Sequence, residues 1–170
     1  MGLTGAQLSV AAAGTLTAAL DLGTGSAPQN LARSMTLGNG TGAGNADRLF
    51  ADRRTLAASA TEDLDLAGVL LDAFGAAVTF ARIKGLIIAA AVGNTNNVVV
   101  GAAASNPWAT LLSATGTVTL RPGAFIAVGT AATDATGYAV TAATADLLKI
   151  ANSGAGTSVT YDIHIIGASA

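Results

Sequence analysis

The chain's single histidine, His164, stands two residues from Asp162 in the run Thr157-Ser-Val-Thr-Tyr-Asp-Ile-His-Ile-Ile166. An imidazole beside a carboxylate is the base half of a nucleophilic triad. Serines are plentiful, but no G-x-S-x-G turn presents one. A solvent-facing or interface histidine is the expected reading. Glu62, Asp63 and Asp65 are the one dense acidic cluster. A carboxylate pair could hydrolyse a glycosidic bond, and three oxygens could hold calcium. On a strand, Asp63 and Asp65 share a face and Glu62 takes the other. A charged strand edge that resists pairing with another sheet is the simpler account.

Two glycine-rich stretches invite a phosphate reading. Asp21-Leu-Gly-Thr-Gly-Ser26 looks like the phosphate-binding turn of the actin and sugar-kinase ATPases, in which glycines let backbone N–H groups approach phosphate. That fold also needs a second phosphate loop, an adenosine site and a much longer chain, and none is visible. A glycine turn ending a strand fits better. Gly38-Asn-Gly-Thr-Gly-Ala-Gly44 has Ala43 where a dinucleotide fingerprint needs its last glycine, and no βαβ unit surrounds it. It reads as a loop. Trp108, the sole tryptophan, follows Pro107 in Ser105-Asn-Pro-Trp-Ala-Thr110. A loop tryptophan either buries a large area against a partner or caps the end of the fold, and both stay open. Arg48, Arg53 and Arg54 are the nearest approach to a basic cluster, with Asp47 and Asp52 among them. Trp108, Pro107, Arg48, Arg53 and Arg54 form the candidate interface set. No catalytic, metal or cofactor residues are assigned.

The elements that must carry these residues are strands. In the last run Val159, Tyr161, Ile163 and Ile165 alternate with Ser158, Thr160, Asp162 and His164, the mark of a strand with one buried and one wet face. Similar short runs recur at about ten-residue spacing. The segment Val78 to Ala89 is the best central strand, and Gly85 within it marks a bulge. Arg121-Pro-Gly123 is a tight turn. The spacing predicts an all-β fold, a jelly-roll-like β-sandwich of about nine to eleven short strands, with no helix beyond about three turns. Residues 46–170 form the sandwich. Residues 1–45 are either its first strands or an extended arm, with Gly23 to Pro28 and Gly38 to Gly44 as breaks. Asn45 to Ala57 reads as a charged surface loop leading into a strand.

Ten acids against eight bases give a net charge of −2, without a basic stripe, which argues against nucleic-acid binding. Cysteine is absent, excluding disulfides and thiolate metal sites. The N-terminus lacks a basic leader, and the longest apolar stretch, Gly85 to Gly93, is too short to span a bilayer. Alanine supplies much of the apolar content. An alanine-rich core buries little area per ordered residue, so the chain is expected to need self-association.

The order of segments resembles a group of small virion proteins of tailed bacteriophages. The likeness starts at Asn39-Gly-Thr-Gly-Ala-Gly-Asn-Ala-Asp-Arg-Leu-Phe50 and runs through Arg54 to Gly68 and Asp72-Ala-Phe-Gly75 to Phe80-Ala-Arg-Ile-Lys-Gly-Leu86. It resumes at Gly93-Asn-Thr-Asn-Asn97, Arg121-Pro-Gly123, Asp134-Ala-Thr-Gly-Tyr138, Asp146 to Asn152 and Thr157 to Ile163. The resemblance implies a non-enzymatic β-sandwich, most often a capsid decoration (cement) protein. Such a protein is made in the host cytoplasm and bound to the major capsid protein on the virion surface, frequently as a trimer. Tail, neck or fibre proteins are the other usual fates. A carbohydrate-binding module, with Trp108 and the acids at 62–65 as its site, is the alternative of a different class.

Overall fold

The computed structural model describes residues 2–170. Among them fourteen strands and one four-residue helix run in this order: β1 (Ala6–Leu20), β2 (Gly23–Asn39), β3 (Asn45–Ala46), β4 (Arg48–Leu56), β5 (Thr61–Asp65), β6 (Leu70–Leu71), β7 (Ala77–Val78), β8 (Arg82–Ala90), β9 (Val98–Gly101), α1 (Ala109–Leu112), β10 (Thr117–Leu120), β11 (Phe125–Gly129), β12 (Tyr138–Ala139), β13 (Leu147–Asn152) and β14 (Val159–Ala168). The fold is all-β, as expected. β1 and β2, however, are long, and β3, β6, β7 and β12 are two-residue pieces. No helix among the described residues is long and apolar enough to cross a membrane.

Eight of the strands make the body, and their pairing mirrors chain order. β4 pairs with β14, β5 with β13, β8 with β11 and β9 with β10, all antiparallel. β14 also pairs with β8, and β13 with β9. The result is two sheets, β11-β8-β14-β4 and β10-β9-β13-β5. A long hairpin of eight strands rolled up on itself gives this order, which is the jelly roll.

Alternation decides what lies between the sheets. β14 turns Val159, Tyr161, Ile163 and Ile165 inward and leaves Asp162 and His164 outside. β13 buries Leu148 and Ile150, and β8 buries Leu86 and Ile88. Ala90 is the one alanine in this main core; the rest of it is Leu, Ile, Val and aromatic side chains. The alanine-rich core expected from composition is therefore corrected: most alanines lie outside the core, in turns and loops or on the exposed ribbon strands.

Three local expectations also change. Asn45 to Ala57 is mostly strand, because β4 closes one edge of the β11-β8-β14-β4 sheet, which β12 joins by pairing with β8, through its pairing with β14. The central strand is split at Thr79–Ala81 into β7 and β8. The bulge expected at Gly85 falls beside it: Ile166 pairs with Gly85 and Gly167 with Ile83, which leaves Lys84 as the extra residue. Lys84 is fully buried, its ammonium donates to the Asp134 carbonyl, and burial lowers its pKa.

The largest difference is at the N-terminus. Gly23 to Pro28 does not break the chain; it is the start of β2, paired residue by residue with β1 from Leu20↔Gly23 to Ala6↔Leu37. Asp21 and Leu22 alone form the turn. Glycine and proline are tolerated here because Pro28 lies opposite Thr15 in a two-stranded ribbon, where each strand has one free edge. Of the two alternatives for residues 1–45, first strands of the sandwich or an arm, the described residues are strands that join neither body sheet, so the hairpin stands as an arm.

Candidate functional site

Most of the expected chemical groups are engaged inside the chain. Arg53 and Asp162 face each other across β4 and β14 on the outer surface and form a bidentate pair at 2.6 and 2.8 Å. Arg53's hydrogen bond holds the Asp162 carboxyl below its ordinary pKa. Asp162 is therefore taken, and no His164–Asp162 pair exists. His164 lies between Ala51 and Ile87, its pKa lowered by burial alone. A lowered imidazole pKa without an oriented carboxylate leaves a neutral, unassisted base.

Glu62 does face away from Asp63 and Asp65, and its carboxylate ties the two sheets together. It accepts from Arg54 Nε at 2.8 Å and from the Tyr161 hydroxyl at 2.7 Å, while Arg54 also donates to Asp52 at 2.9 Å. Burial, with Glu62's hydrogen bond and charge, pushes the Tyr161 hydroxyl well above its ordinary pKa. This network closes the open side of the sandwich between edge strands β4 and β5. Asp65 accepts from the Ala67 N–H, shaping the turn after β5. Among the described residues no three His, Cys, Asp or Glu side chains converge as metal ligands.

The interface set divides. Trp108 is 4% exposed, packs edge-on against Tyr138 at 6.3 Å and donates its indole N–H to the Ala139 carbonyl at 2.9 Å. It caps the sandwich end, so as a surface anchor it is corrected: a buried ring with its one donor satisfied offers a partner nothing. Pro107 bridges to Leu147 beside it. Arg48 pairs with Asp47 at 3.0 Å, and that carboxylate also takes the Ser169 N–H and hydroxyl. The three arginines line edge strand β4, and each is already neutralised by a carboxylate of its own chain.

The longest stretch of apolar surface left without a partner is the ribbon, although Val69, Phe74, Val92 and Phe125 on the body are exposed as well. Positions 6, 8, 10, 12, 14, 16, 18 and 20 of β1 are Ala, Leu, Val, Ala, Gly, Leu, Ala and Leu, and they share one face. Opposite them on that face β2 sets Leu37, Met35, Arg33, Leu31, Gln29, Ala27, Gly25 and Gly23. The other face carries Gln7, Ser9, Ala11, Ala13, Thr15, Thr17 and Ala19 with Thr36, Ser34, Ala32, Asn30, Pro28, Ser26 and Thr24, with no Leu, Ile, Val, Met or aromatic side chain among them. This period-two signal was open to sequence reading, but alanine and glycine diluted it, and the stretch divides visually at Gly14 and Gly23.

Only the foot of the apolar face is covered. Ala6, Leu8, Met35 and Leu37 are buried with Ala46 and Ile166 in a second core, flanked by Leu49, Ile87 and Ala132. This lies outside the sandwich, on the far face of the β11-β8-β14-β4 sheet. Two paired glycines, Gly85 and Gly129, make the notch that receives it. A Cβ at Gly129 would stand 2.7 Å from Leu8 Cδ2, and one at Gly85 would stand 3.2 Å from Met35 Cε. Beyond this seat Leu16 is 71% and Leu31 57% exposed, and Leu20 and Leu22 at the tip are open to solvent.

Comparison with protein-family models, with curated proteins and with solved structures finds no match.

Proposed function

We propose that the protein is a non-enzymatic structural subunit of a tailed-phage virion, a capsid decoration (cement) protein. It binds the major capsid protein on the outer surface of the head and associates with copies of itself, with a trimer the preferred form. The observation that carries this reading is the ribbon: an amphipathic two-stranded arm, seated at its foot and uncovered beyond it. An isolated hairpin is marginal in water and needs a third layer, so a chain that builds one is made to be completed by neighbours. The closed jelly roll supplies a rigid body from which to present it. Many copies on a shell then gain avidity that no single contact provides. Glu62 and Asp162 are tied into intrachain ion pairs and Asp65 into a turn, which supports a structural role. The carbohydrate alternative loses support because its aromatic platform, Trp108, is buried.

The test uses the full chain. Light scattering at micromolar concentration should give a multiple of the monomer mass, and the protein should co-sediment with undecorated heads at a fixed copy number. A monomer that leaves heads bare overturns the reading. Binding to tails alone moves the protein to the tail, neck or fibre class.

A further inference from the structure

We infer that the ribbon's apolar face is an interface between copies of this chain, ribbon packed on ribbon with apolar faces together. The inference rests on the self-assembly part of the proposed function and names the surface responsible. The face is built for a second sheet. Beyond the seat its cross-strand pairs are Val10–Arg33, Ala12–Leu31, Gly14–Gln29, Leu16–Ala27, Ala18–Gly25 and Leu20–Gly23. Past the first of these, each pair sets one longer side chain against a small one, or two small ones together. The result is a flat surface of moderate relief, suited to close packing against like surfaces.

Charge narrows the occupant. Between Ala6 and Asn39 the only ionic side chains are Asp21 in the turn and Arg33 beside Val10. A phosphate backbone or an acidic peptide would find one cation there, too few to hold it. A peptide adding a strand would use the ribbon's free edges and leave the apolar face wet. A second ribbon covers that face with a surface of matching chemistry and matching length.

Area then sets the number of copies. Twelve pairs run from Ser9↔Ser34 to Leu20↔Gly23, which at ~3.3 Å per residue is a ribbon of ~40 Å. Two such faces together bury on the order of 800–1,000 Å², short of the ~1,000 Å² that a stable specific interface should clear. A bare pair is therefore weak. Three ribbons with their apolar faces turned to one axis give each copy two neighbours, which agrees with the preferred trimer.

The experiment compares two double variants of the full chain. Leu16→Asp with Leu31→Asp places carboxylates on the apolar face; Thr17→Asp with Asn30→Asp places them on the polar face. The first should reduce the scattering mass to that of a monomer while the Trp108 fluorescence of the body is unchanged, and the second should keep the oligomer. Because the chain has no cysteine, Ala18→Cys and Ala19→Cys, on opposite faces, report burial without added charge. Maleimide should label Ala18→Cys at least tenfold more slowly than Ala19→Cys. If the aspartate variant aggregates, the cysteine pair decides. An oligomer that survives Leu16→Asp with Leu31→Asp, with equal labelling at 18 and 19, overturns the inference and leaves self-assembly standing through another surface. A wild-type chain that is monomeric at micromolar concentration overturns both.

Discussion

β14 and the ribbon are written in the same pattern and meet different fates. In β14 every second residue is apolar, and the chain itself supplies the opposing sheet, so Val159 and Ile165 reach zero exposure. In β1 every second residue from Ala6 to Leu20 is apolar or glycine too, yet burial stops after Leu8. The difference is in what the chain can fold back over them. The eight body strands are joined by connections that bring two sheets face to face; the ribbon is one hairpin with nothing of its own to lay on top. Alternation states that a face is to be covered, and topology decides whether the cover is intramolecular.

This contrast can be broken most directly by truncating one residue in each region. Phe80 is 1% exposed within the main core, and its N–H donates to the Leu66 carbonyl just after β5. Phe80→Ala should cost about 3–5 kcal/mol, read as a lowered denaturant midpoint of Trp108 fluorescence. Leu16→Ala should leave that midpoint within error, because Leu16 touches no part of the body core. A matching shift for both would mean that body and ribbon unfold as one unit, and the division between them would be lost.

The seat joins the two regions and should give an intermediate effect. Gly129→Val places a branched side chain where Leu8 Cδ2 now stands 2.7 Å from the ideal Cβ position. Leu8 must leave, uncovering Ile166, at a cost of about 1–3 kcal/mol. The expected sign is faster protease cleavage between residues 9 and 34 with the body left intact. Unchanged cleavage would show that the foot is held by Met35 and Leu37 alone.

The body was legible because its strands are short, β-branched and set off by turns such as Arg121-Pro-Gly123. Jelly-roll order follows from such a rhythm only through pairing, which no single strand encodes. The acids at 62–65 were placed on the correct faces by alternation, but the reach of Glu62 to Arg54 and Tyr161 crosses between sheets and needed three dimensions. Trp108 could equally cap or dock from sequence, since the carbonyl that receives its N–H, Ala139, lies thirty-one residues away. The ribbon was obscured by composition: Gly23, Gly25 and Pro28 punctuate most strands, and here they lie in one whose free edge makes them harmless.

Within the body, Tyr161 offers a smaller and pH-dependent effect. Its hydroxyl is buried against Glu62 and held protonated above the ordinary value of 10.0. In the unfolded chain it ionises near 10, so above that pH the unfolded state binds fewer protons than the folded one. Stability must then fall as pH rises, with a slope approaching 1.4 kcal/mol per unit from this one group. Below pH 10 the contribution is fully present. Tyr161→Phe should cost about 1 kcal/mol at neutral pH through the lost hydrogen bond and should flatten the alkaline slope. An unchanged slope would assign it to other groups.

The smallest effect is expected at Arg53, although its ion pair has the best geometry on the molecule. The pair with Asp162 is bidentate, but the two side chains are 73% and 51% exposed. Water already solvates both charges well, and salt screens what attraction remains. Arg54, one residue on, makes a similar pair with Glu62 where the side chains are 33% and 19% exposed, and its loss leaves Glu62 facing only Tyr161. Arg53→Ala should therefore leave the unfolding midpoint unchanged at physiological salt, whereas Arg54→Ala should lower it measurably. Under the proposed head-binding role the order should invert, since Arg53 points outward from β4 and Arg54 does not. Reduced head binding by Arg53→Ala, with stability intact, would support that proposal, place edge strand β4 in the contact and separate it from the ribbon.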